Sequence, residues 1–441
     1  MTGKISFGIR TAPDNPDPEE SMNRARDRLF RLVEKIPVID SHEHLGPESG
    51  RVGAAADFFT LFSHWPYIGR DLQLSGMTRP AFDGLQDRRI PLAERWKIFE
   101  PFWRRIRHTS YSRAVLIAVR KFYSADDITE KTFARISEAV AAFNRPGLYD
   151  AVLRDACGIR ACLNDTGTTD MRKDLFVPVF GLLRCDMESR EGLLRPYFAP
   201  DAKIASLDDY LDAARSAVLR VKSEGAKGLK MAGLNYAGPD RKAAEKLWNS
   251  MMSASPERIS APNEYPGFMP SNPLRDLITH ETVRFGAEQG LVMAVHTGYW
   301  GDFRNVSPAN IIPLLQRFPE AKFDIFHLGY PYVREALMLG KGFPNVWLNF
   351  CWLHAVSQET GRRCLDEALD LIPVNKIIGF GGDYGSEAVE MVYGHLTLAR
   401  ENIAAILADR ISRKRMTEKQ ALDTAEMWLY RNAKELYGLE A

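Results

Sequence analysis

Eight short apolar segments recur along this chain of 441 residues, and stretches with helical periodicity separate most of them. Strand and helix alternating eight times is the pattern of an α/β protein whose parallel strands close into a (β/α)8 TIM barrel. An open, doubly wound sheet is the alternative, but the chain after the first segment carries no G-x-G-x-x-G. The predicted strands are Val38–His42, Gly158–Leu163, Phe176–Leu183, Gly225–Ala232, Leu291–Thr297, Lys322–Leu328, Asn345–Phe350 and Ile377–Gly382.

The domain organisation follows from where the alternation of strands and helices is interrupted. Residues 1–35 are predicted to be a lead-in with a helix over 17–34, and residues 36–441 to be the barrel. Between the first two strands, residues 47–150 are rich in aromatic residues and repeat apolar positions at helical spacing, which predicts a helical insertion that covers the site as a lid. Two amphipathic helices are predicted near the end of the chain, within about 387–441.

Composition and charge narrow the class of protein. A formal net charge of +1 gives no reason to expect a nucleic acid or a membrane surface as partner. Five cysteines, an odd number without C-x-x-C spacing, predict reduced thiols rather than a disulfide framework. Neither a signal peptide nor an apolar run long enough to span a bilayer is recognisable, so we expect a cytoplasmic protein. We also expect a homo-oligomer that acts on a small molecule.

Histidines and one aspartate follow several of the predicted strands. His42 and His44 alternate at the end of the first strand, so their side chains share one face. His296 ends the fifth strand, His327 the sixth, and Asp383 follows the eighth. The carboxyl ends of barrel strands meet at one mouth, where the active sites of such barrels lie. These residue types in this order therefore predict a divalent metal site.

This pattern resembles the amidohydrolase superfamily, which carries H-x-H after strand one, a histidine after each of strands five and six, and an aspartate after strand eight. The segments IPVIDSHEHLG, FGGDYG and RNAKELYGL look like the amidohydrolase-related (amidohydrolase 2) branch, which includes decarboxylases of aromatic acids and hydrolases of lactones. The long insertion and LNDTG at residues 163–167 also resemble uronate isomerases. Those isomerases carry a substrate-anchoring arginine shortly after the strand-eight aspartate, where this chain reads DYGSEA.

The resemblance implies roles for these residues. His42, His44 and His296 would hold a divalent metal, Asp383 would be a further ligand or a proton shuttle, and His327 would polarise the substrate. Zn²⁺ is the predicted ion, with Mn²⁺, Fe²⁺ and Ni²⁺ as alternatives. Such a metal lowers the pKa of bound water from about 15.7 to about 7.

Lys230, on the fourth strand, leaves two possibilities open. In binuclear members of the superfamily a strand-four lysine is carbamylated and bridges two metals. The other interpretation is an ordinary lysine that pairs with a carboxylate or contacts substrate.

The predicted reaction is hydrolysis of a C–N or C–O bond in a small polar substrate, through a metal-activated water. Isomerisation of a uronate, or decarboxylation, on the same barrel is the alternative, and a barrel that retains its metal only for structure is a third. A carboxylate-bearing substrate is possible, because an arginine near the mouth could clamp it. The residues predicted to contact substrate are Arg184, Tyr299, Trp300, His354 and Tyr384.

Overall fold

A computed structural model describes residues 18–64, 67–183, 190–232, 235–253, 271–298 and 303–440. Eight strands form one sheet in the order β1 to β8, and every neighbouring pair is parallel. The predicted (β/α)8 barrel is confirmed. The strands are β1 Val38–Glu43, β2 Ile159–Asn164, β3 Phe176–Leu183, β4 Gly228–Ala232, β5 Val292–His296, β6 Phe323–Phe326, β7 Val346–Asn349 and β8 Ile377–Ile378.

The barrel closes between β1 and the segment that follows β8. His44 bridges Gly385 in parallel register. The Asp383 amide donates to the His42 carbonyl over 2.8 Å, and the His44 amide donates to the Tyr384 carbonyl over 3.0 Å. Closure therefore depends on the same two segments that carry the predicted metal ligands.

Among the described residues, seven α-helices and one π-helical segment, Asp150–Ala156, lie between β1 and β2, where the insertion was predicted. Their core is aromatic: the rings of Trp96 and Phe133 stack with centroids 4.8 Å apart. Helix α1 precedes β1, and it packs on a late helix of the barrel. The bounds are α1 Pro18–Val33, α2 Glu48–Gly53, α3 Phe58–Phe62, α4 Ile68–Leu74, α5 Arg79–Gln86, α6 Leu92–Ile106, α7 Ser110–Tyr123 and α8 Phe133–Phe143.

The remaining helices surround the barrel in chain order. Several start where the sequence supplies a cap: the Ser206 and Ser357 side chains each accept a hydrogen bond from an amide in the first helical turn. The bounds are α9 Arg190–Leu194, α10 Leu207–Ser223, α11 Arg241–Ser253, α12 Pro273–Glu288, α13 Ile312–Arg317, α14 Val333–Gly342, α15 Leu353–Val356, α16 Gln358–Leu371, α17 Glu390–Ser412, α18 Glu418–Glu426 and α19 Asn432–Tyr437.

A buried ion pair joins the insertion to the barrel. Arg51 on α2 contacts Glu390 on α17 over 2.9 Å, and the Tyr123 hydroxyl donates to the same carboxylate over 2.9 Å. Both charged side chains are at most 3% exposed. Breaking such a pair typically costs ~3–5 kcal/mol, because one charge stays buried without its partner. The insertion is therefore held against the barrel rather than only tethered to it.

Helix α19 plugs the barrel at the end opposite the mouth. Asn432 donates to the carbonyls of Val374 and Ile377 over 2.7 and 2.6 Å, which fixes the helix at the start of β8. Leu436 and Tyr437 then pack among the residues that point into the barrel. The RNAKELYGL segment thus closes the barrel floor with apolar side chains.

Across the described ranges, none of the helices combines the length and the apolar character that crossing a membrane requires.

Candidate metal centre

The site begins with the two histidines at the end of β1. Every residue of β1 is buried, although most of its side chains are polar. These polar side chains therefore lie in the wall of the barrel. The imidazole rings of His42 and His44 meet edge to face with centroids 4.6 Å apart. The predicted shared face is therefore observed.

Asp383 completes a compact group with these histidines. Its Oδ1 lies 3.2 Å from Nε2 of His42 and 3.2 Å from Nε2 of His44. The donor atoms of the three residues all lie within 4.8 Å of one another. The other oxygen of Asp383, Oδ2, lies 3.8 Å from Nε2 of His327. One carboxylate thus faces the two β1 histidines with one oxygen and His327 with the other.

His296 lies one step further from this group. Its ring meets that of His327 edge to face, with centroids 4.4 Å apart. The three-residue group with mutually close donor atoms does not include it. The structure therefore brings His296 to the site through His327, and its role as a ligand stays a prediction.

Backbone strain is concentrated at the ends of the strands that carry the site. His327 has a φ of 62°, Trp352 of 62° and Asp383 of 63°. Each left-handed non-glycine residue costs roughly 1–2 kcal/mol. Such strain persists where the surroundings determine it, and it is common at functional sites.

The hydrogen bonds of the imidazole rings show which nitrogen of each ring carries the proton and which carries a lone pair. His44 Nδ1 lies 2.6 Å from the Asp165 carbonyl and His327 Nδ1 lies 3.2 Å from the Cys351 carbonyl. A carbonyl only accepts, so Nδ1 carries the proton in both rings and Nε2 of the neutral ring offers a lone pair. His42 Nε2 faces the Lys230 ammonium, which only donates. All three Nε2 atoms therefore present lone pairs to the site.

The charges at the site agree with this assignment. Burial, followed by Lys230, holds the pKa of His42 well below its ordinary value, and burial lowers the pKa of His327 to about 4. Burial alone would raise the pKa of Asp383, but His42, His44 and His327 hold it well below its ordinary value. An ionised carboxylate that faces imidazole lone pairs at 3.2 Å is a donor set that fits a divalent cation.

Lys230 lies directly against the cluster formed by His42, His44 and Asp383. Its Nζ is 2.7 Å from Nε2 of His42 and 4.5 Å from the centre of the Phe326 ring, and the residue is 1% exposed. The ammonium therefore contacts the nitrogen that would bind a metal. An unmodified lysine at this position opposes metal binding by charge repulsion, whereas a carbamylated lysine would be a ligand.

Replacing Lys230 with methionine distinguishes these two roles. We expect the K230M variant to bind Mn²⁺ or Zn²⁺ about tenfold more tightly, because two like charges about 4 Å apart repel by up to ~4 kcal/mol at an effective dielectric constant of ~20. Isothermal titration of the metal-free protein measures this affinity. Lys227→Met, at the opposite end of the same strand, is the matched control. Weaker binding by K230M, or a loss of one equivalent of metal, would show that the lysine is a ligand.

The other sequence-predicted substrate contacts lie in different places. Both ring nitrogens of His354 are engaged behind the sheet, with the Gly379 carbonyl at 3.1 Å and the Asn402 amide at 2.9 Å, so the structure does not bring His354 to the cluster. Tyr384 is fully buried and packs against Tyr67 with ring centroids 4.7 Å apart. Three predicted contacts lie outside the described residues, namely Arg184, Tyr299 and Trp300.

Tyr67, in the insertion, is a site residue that sequence reasoning missed. Its hydroxyl donates to the Asp383 carbonyl over 3.2 Å and accepts from the Gly385 amide over 2.9 Å. The insertion thus holds the turn that carries Asp383. No local sequence signal distinguishes Tyr67 from the other aromatic residues of its segment.

Two buried acids of β1 hold the same turn from below. Asp40 accepts from the amides of His42 and Gly382 over 3.2 and 3.0 Å, and Glu43 accepts from the Tyr384 amide over 2.8 Å. Burial raises the pKa of Asp40 to about 6 and that of Glu43 well above its ordinary value. The segment VIDSHE carries a signal for these residues, because Asp40 and Glu43 are acids in a strand of which every residue is buried.

Comparison with known proteins agrees with this geometry. A sequence profile described as Amidohydrolase matches residues 262–439. The uronate isomerase of Brucella canis is 24% identical over 488 aligned positions, which cover 96% of this chain and 99% of that enzyme. Protein fluG of Emericella nidulans is 25% identical over 218 residues, or 47% of this chain, and the match spans only 24% of fluG.

Two solved structures share the fold along nearly the whole chain. Glucuronate isomerase from Caulobacter crescentus superposes with a TM-score of 0.76 at 20% identity, covering 98% of both chains. Uronate isomerase from Thermotoga maritima gives a TM-score of 0.76 at 15% identity, covering 94% of this chain and 97% of that one. The chain is therefore similar in sequence to the Amidohydrolase family over residues 262–439 and to uronate isomerases along nearly its whole length, and it shares the fold of the two solved isomerases.

Proposed function

We propose that this protein is a metal-dependent isomerase that interconverts the aldose and ketose forms of a hexuronate. The observation that supports this most strongly is the extent of the similarity. The likeness to uronate isomerases covers 96% of the chain, including the insertion, whereas the Amidohydrolase profile matches only residues 262–439. The hydrolase predicted from sequence is therefore less well supported than the isomerase alternative.

The reaction needs groups that move protons over short distances. In an aldose–ketose isomerisation one proton leaves C2 and one arrives at C1, while a proton passes from the C2 oxygen to the C1 oxygen, so no other reactant is required. Asp383 is ionised and its Oδ2 lies 3.8 Å from the unprotonated Nε2 of His327. Two basic atoms at this spacing suit the removal and return of protons at adjacent carbons.

His42, His44 and Asp383 would hold the metal, with His296 as a further predicted ligand, and the ion would polarise the substrate carbonyl when bound. Zn²⁺ remains the predicted ion. The residues around the metal ligands have a separate role, which is to orient the sugar and to exclude water. The insertion supplies part of this enclosure, since Tyr67 packs against the Asp383 turn.

A cation must also meet the carboxylate of the substrate. The turn after Asp383 reads YGSEA and supplies no arginine. Among the described residues, Lys230 is a cation that directly contacts the cluster. Arg184, which follows β3, is the second candidate from sequence.

The direct test is conversion of D-glucuronate or D-galacturonate by the full-length protein loaded with Zn²⁺ or Mn²⁺. We expect a ketose product, detected by ¹H NMR, and exchange of the C2 hydrogen with solvent or its transfer to C1. The same preparation should be offered the corresponding lactone and simple esters as substrates for hydrolysis. Hydrolysis with incorporation of one solvent oxygen, together with no ketose from either hexuronate, would replace this proposal with the hydrolase.

A further inference from the structure

Three polar side chains lie inside the barrel beneath the histidine cluster. They are Asp324 on β6, Asn349 on β7 and Tyr437 on α19, and each is at most 3% exposed. Their surroundings are apolar, since the residues pointing into the barrel include Ile39, Val292 and Ile378. A carboxylate in such an interior is costly unless hydrogen bonds and a charge partner compensate for it.

The three residues are joined by hydrogen bonds to one carboxylate oxygen. Oδ2 of Asp324 accepts from the Tyr437 hydroxyl over 2.8 Å and from the Asn349 amide over 3.0 Å. Burial raises the pKa of Asp324 to about 7, although these two bonds and the charge of Lys230 oppose that effect. The floor of the barrel, through Tyr437, is therefore in direct contact with a buried acid of the barrel wall.

The same network continues upward to the site. The other end of the Asn349 side chain, Oδ1, accepts from the Cys351 amide over 2.9 Å. The Cys351 carbonyl in turn accepts from Nδ1 of His327 over 3.2 Å. The continuous path runs from Tyr437 through Asp324, Asn349 and the Cys351 backbone to His327.

The hydrogen-bonded path reaches His327 through the turn that follows β7. Cys351 directly precedes Trp352, whose φ is 62°, so the turn after β7 is strained. Asn349 fixes the amide of Cys351, and the Cys351 carbonyl, which also accepts from the Leu353 amide over 2.7 Å, faces Nδ1 of His327. The orientation of that carbonyl decides which nitrogen of His327 carries the proton, and hence whether Nε2 can act as a base.

We propose that Tyr437, Asp324 and Asn349 are positioning residues for His327, so that the helix plugging the barrel floor sets the orientation and tautomer of an imidazole at the opposite end. The inference rests on the proposed function, because it assumes that His327 takes part in the reaction. Its test therefore includes a measurement that requires no substrate.

Tyr437→Phe is the decisive variant, since it removes one hydroxyl and leaves the apolar plug intact. Tyr430→Phe is the matched control, because it makes the same change in the helical segment just before α19, where the hydroxyl contacts Lys434 rather than Asp324. In protein labelled with ¹⁵N-histidine, we expect Y437F to shift the ring ¹⁵N signals of His327 and Y430F to leave them in place. The His327→Asn variant assigns those signals. Unchanged His327 signals in Y437F would overturn the proposal, whether or not the protein isomerises uronates.

A double-mutant cycle tests whether the contacts act in series. With D-glucuronate, we expect Y437F to lower kcat by about tenfold with KM within twofold of the wild type, which is the lower end of the ~10–100-fold range seen for outer-shell partners. Once Asn349→Leu has broken the path, adding Y437F should lower kcat no further. If the two substitutions lowered kcat independently and additively, the two residues would only stabilise the barrel. That result would contradict a connected path from Tyr437 to His327.

Discussion

Changing Asp383 to asparagine should lower uronate isomerisation by at least about a thousandfold and also weaken metal binding. Its carboxylate contributes the only negative charge in the compact donor group, and its Oδ1 lies 3.2 Å from Nε2 of both His42 and His44. Asparagine keeps the size but removes the charge and the ability to take up a proton. Losing both a ligand and a general base removes two contributions to the reaction, of which general base catalysis alone is typically worth ~10²–10⁴-fold.

Isothermal titration with Mn²⁺ and a steady-state assay of ketose formation measure the two effects of D383N separately. Asp83→Asn is the matched control, because that aspartate is exposed on α5 and pairs with Arg79 in the preceding turn, away from the site. Excess metal should restore little of the activity, since the proton acceptor is still absent. Activity within tenfold of the wild type at saturating metal would assign proton transfer to another residue.

Replacing His327 with asparagine should separate catalysis from metal binding. Nε2 of His327 lies 3.8 Å from Oδ2 of Asp383, outside the group that holds the metal donors. We therefore expect kcat to fall by about 10²–10⁴-fold, the usual range for a general acid or base, while the affinity for metal changes by less than threefold. Kinetics at saturating metal, together with the same titration, give both values.

The exposed His108 provides the control for this variant, since H108N makes the same change on the surface of the insertion. A large loss of metal affinity in H327N would mean that His327 is itself a ligand. In that case His296, whose ring adjoins that of His327, would become the candidate for the proton-transferring residue.

Sequence patterns predicted most of the fold closely. The third strand has the bounds that the pattern predicts, and β1 differs by one residue at its end. A segment such as β3 is recognisable because a strand covered on both faces is mostly buried and therefore largely apolar. The eighth strand was overestimated: β8 contains only Ile377 and Ile378, because the chain leaves the sheet through glycines to reach Asp383.

The site was predictable only in part. His42, His44 and Asp383 follow apolar runs, and the rule that strand ends meet at one mouth was enough to bring them together. His354 also follows a strand, yet both of its ring nitrogens are engaged away from the metal ligands, by the Gly379 carbonyl and the Asn402 amide. Its conformation depends on contacts with Asn402, which is 48 residues away, and no local pattern reports such a contact.

The sequence by itself therefore determined the barrel, the order of its strands and the residue types at its mouth, because burial imposes periodicity on neighbouring residues. Only the tertiary structure decided which nitrogen of each histidine faces the site and that Lys230 lies 2.7 Å from His42. It also decided that Tyr67 contacts the Asp383 turn from the insertion and that Tyr437 contacts Asp324 from the barrel floor. The physical reason is that hydrogen bonds and charges act between residues that folding brings together, such as Asp40 and Gly382, which are 342 residues apart in sequence.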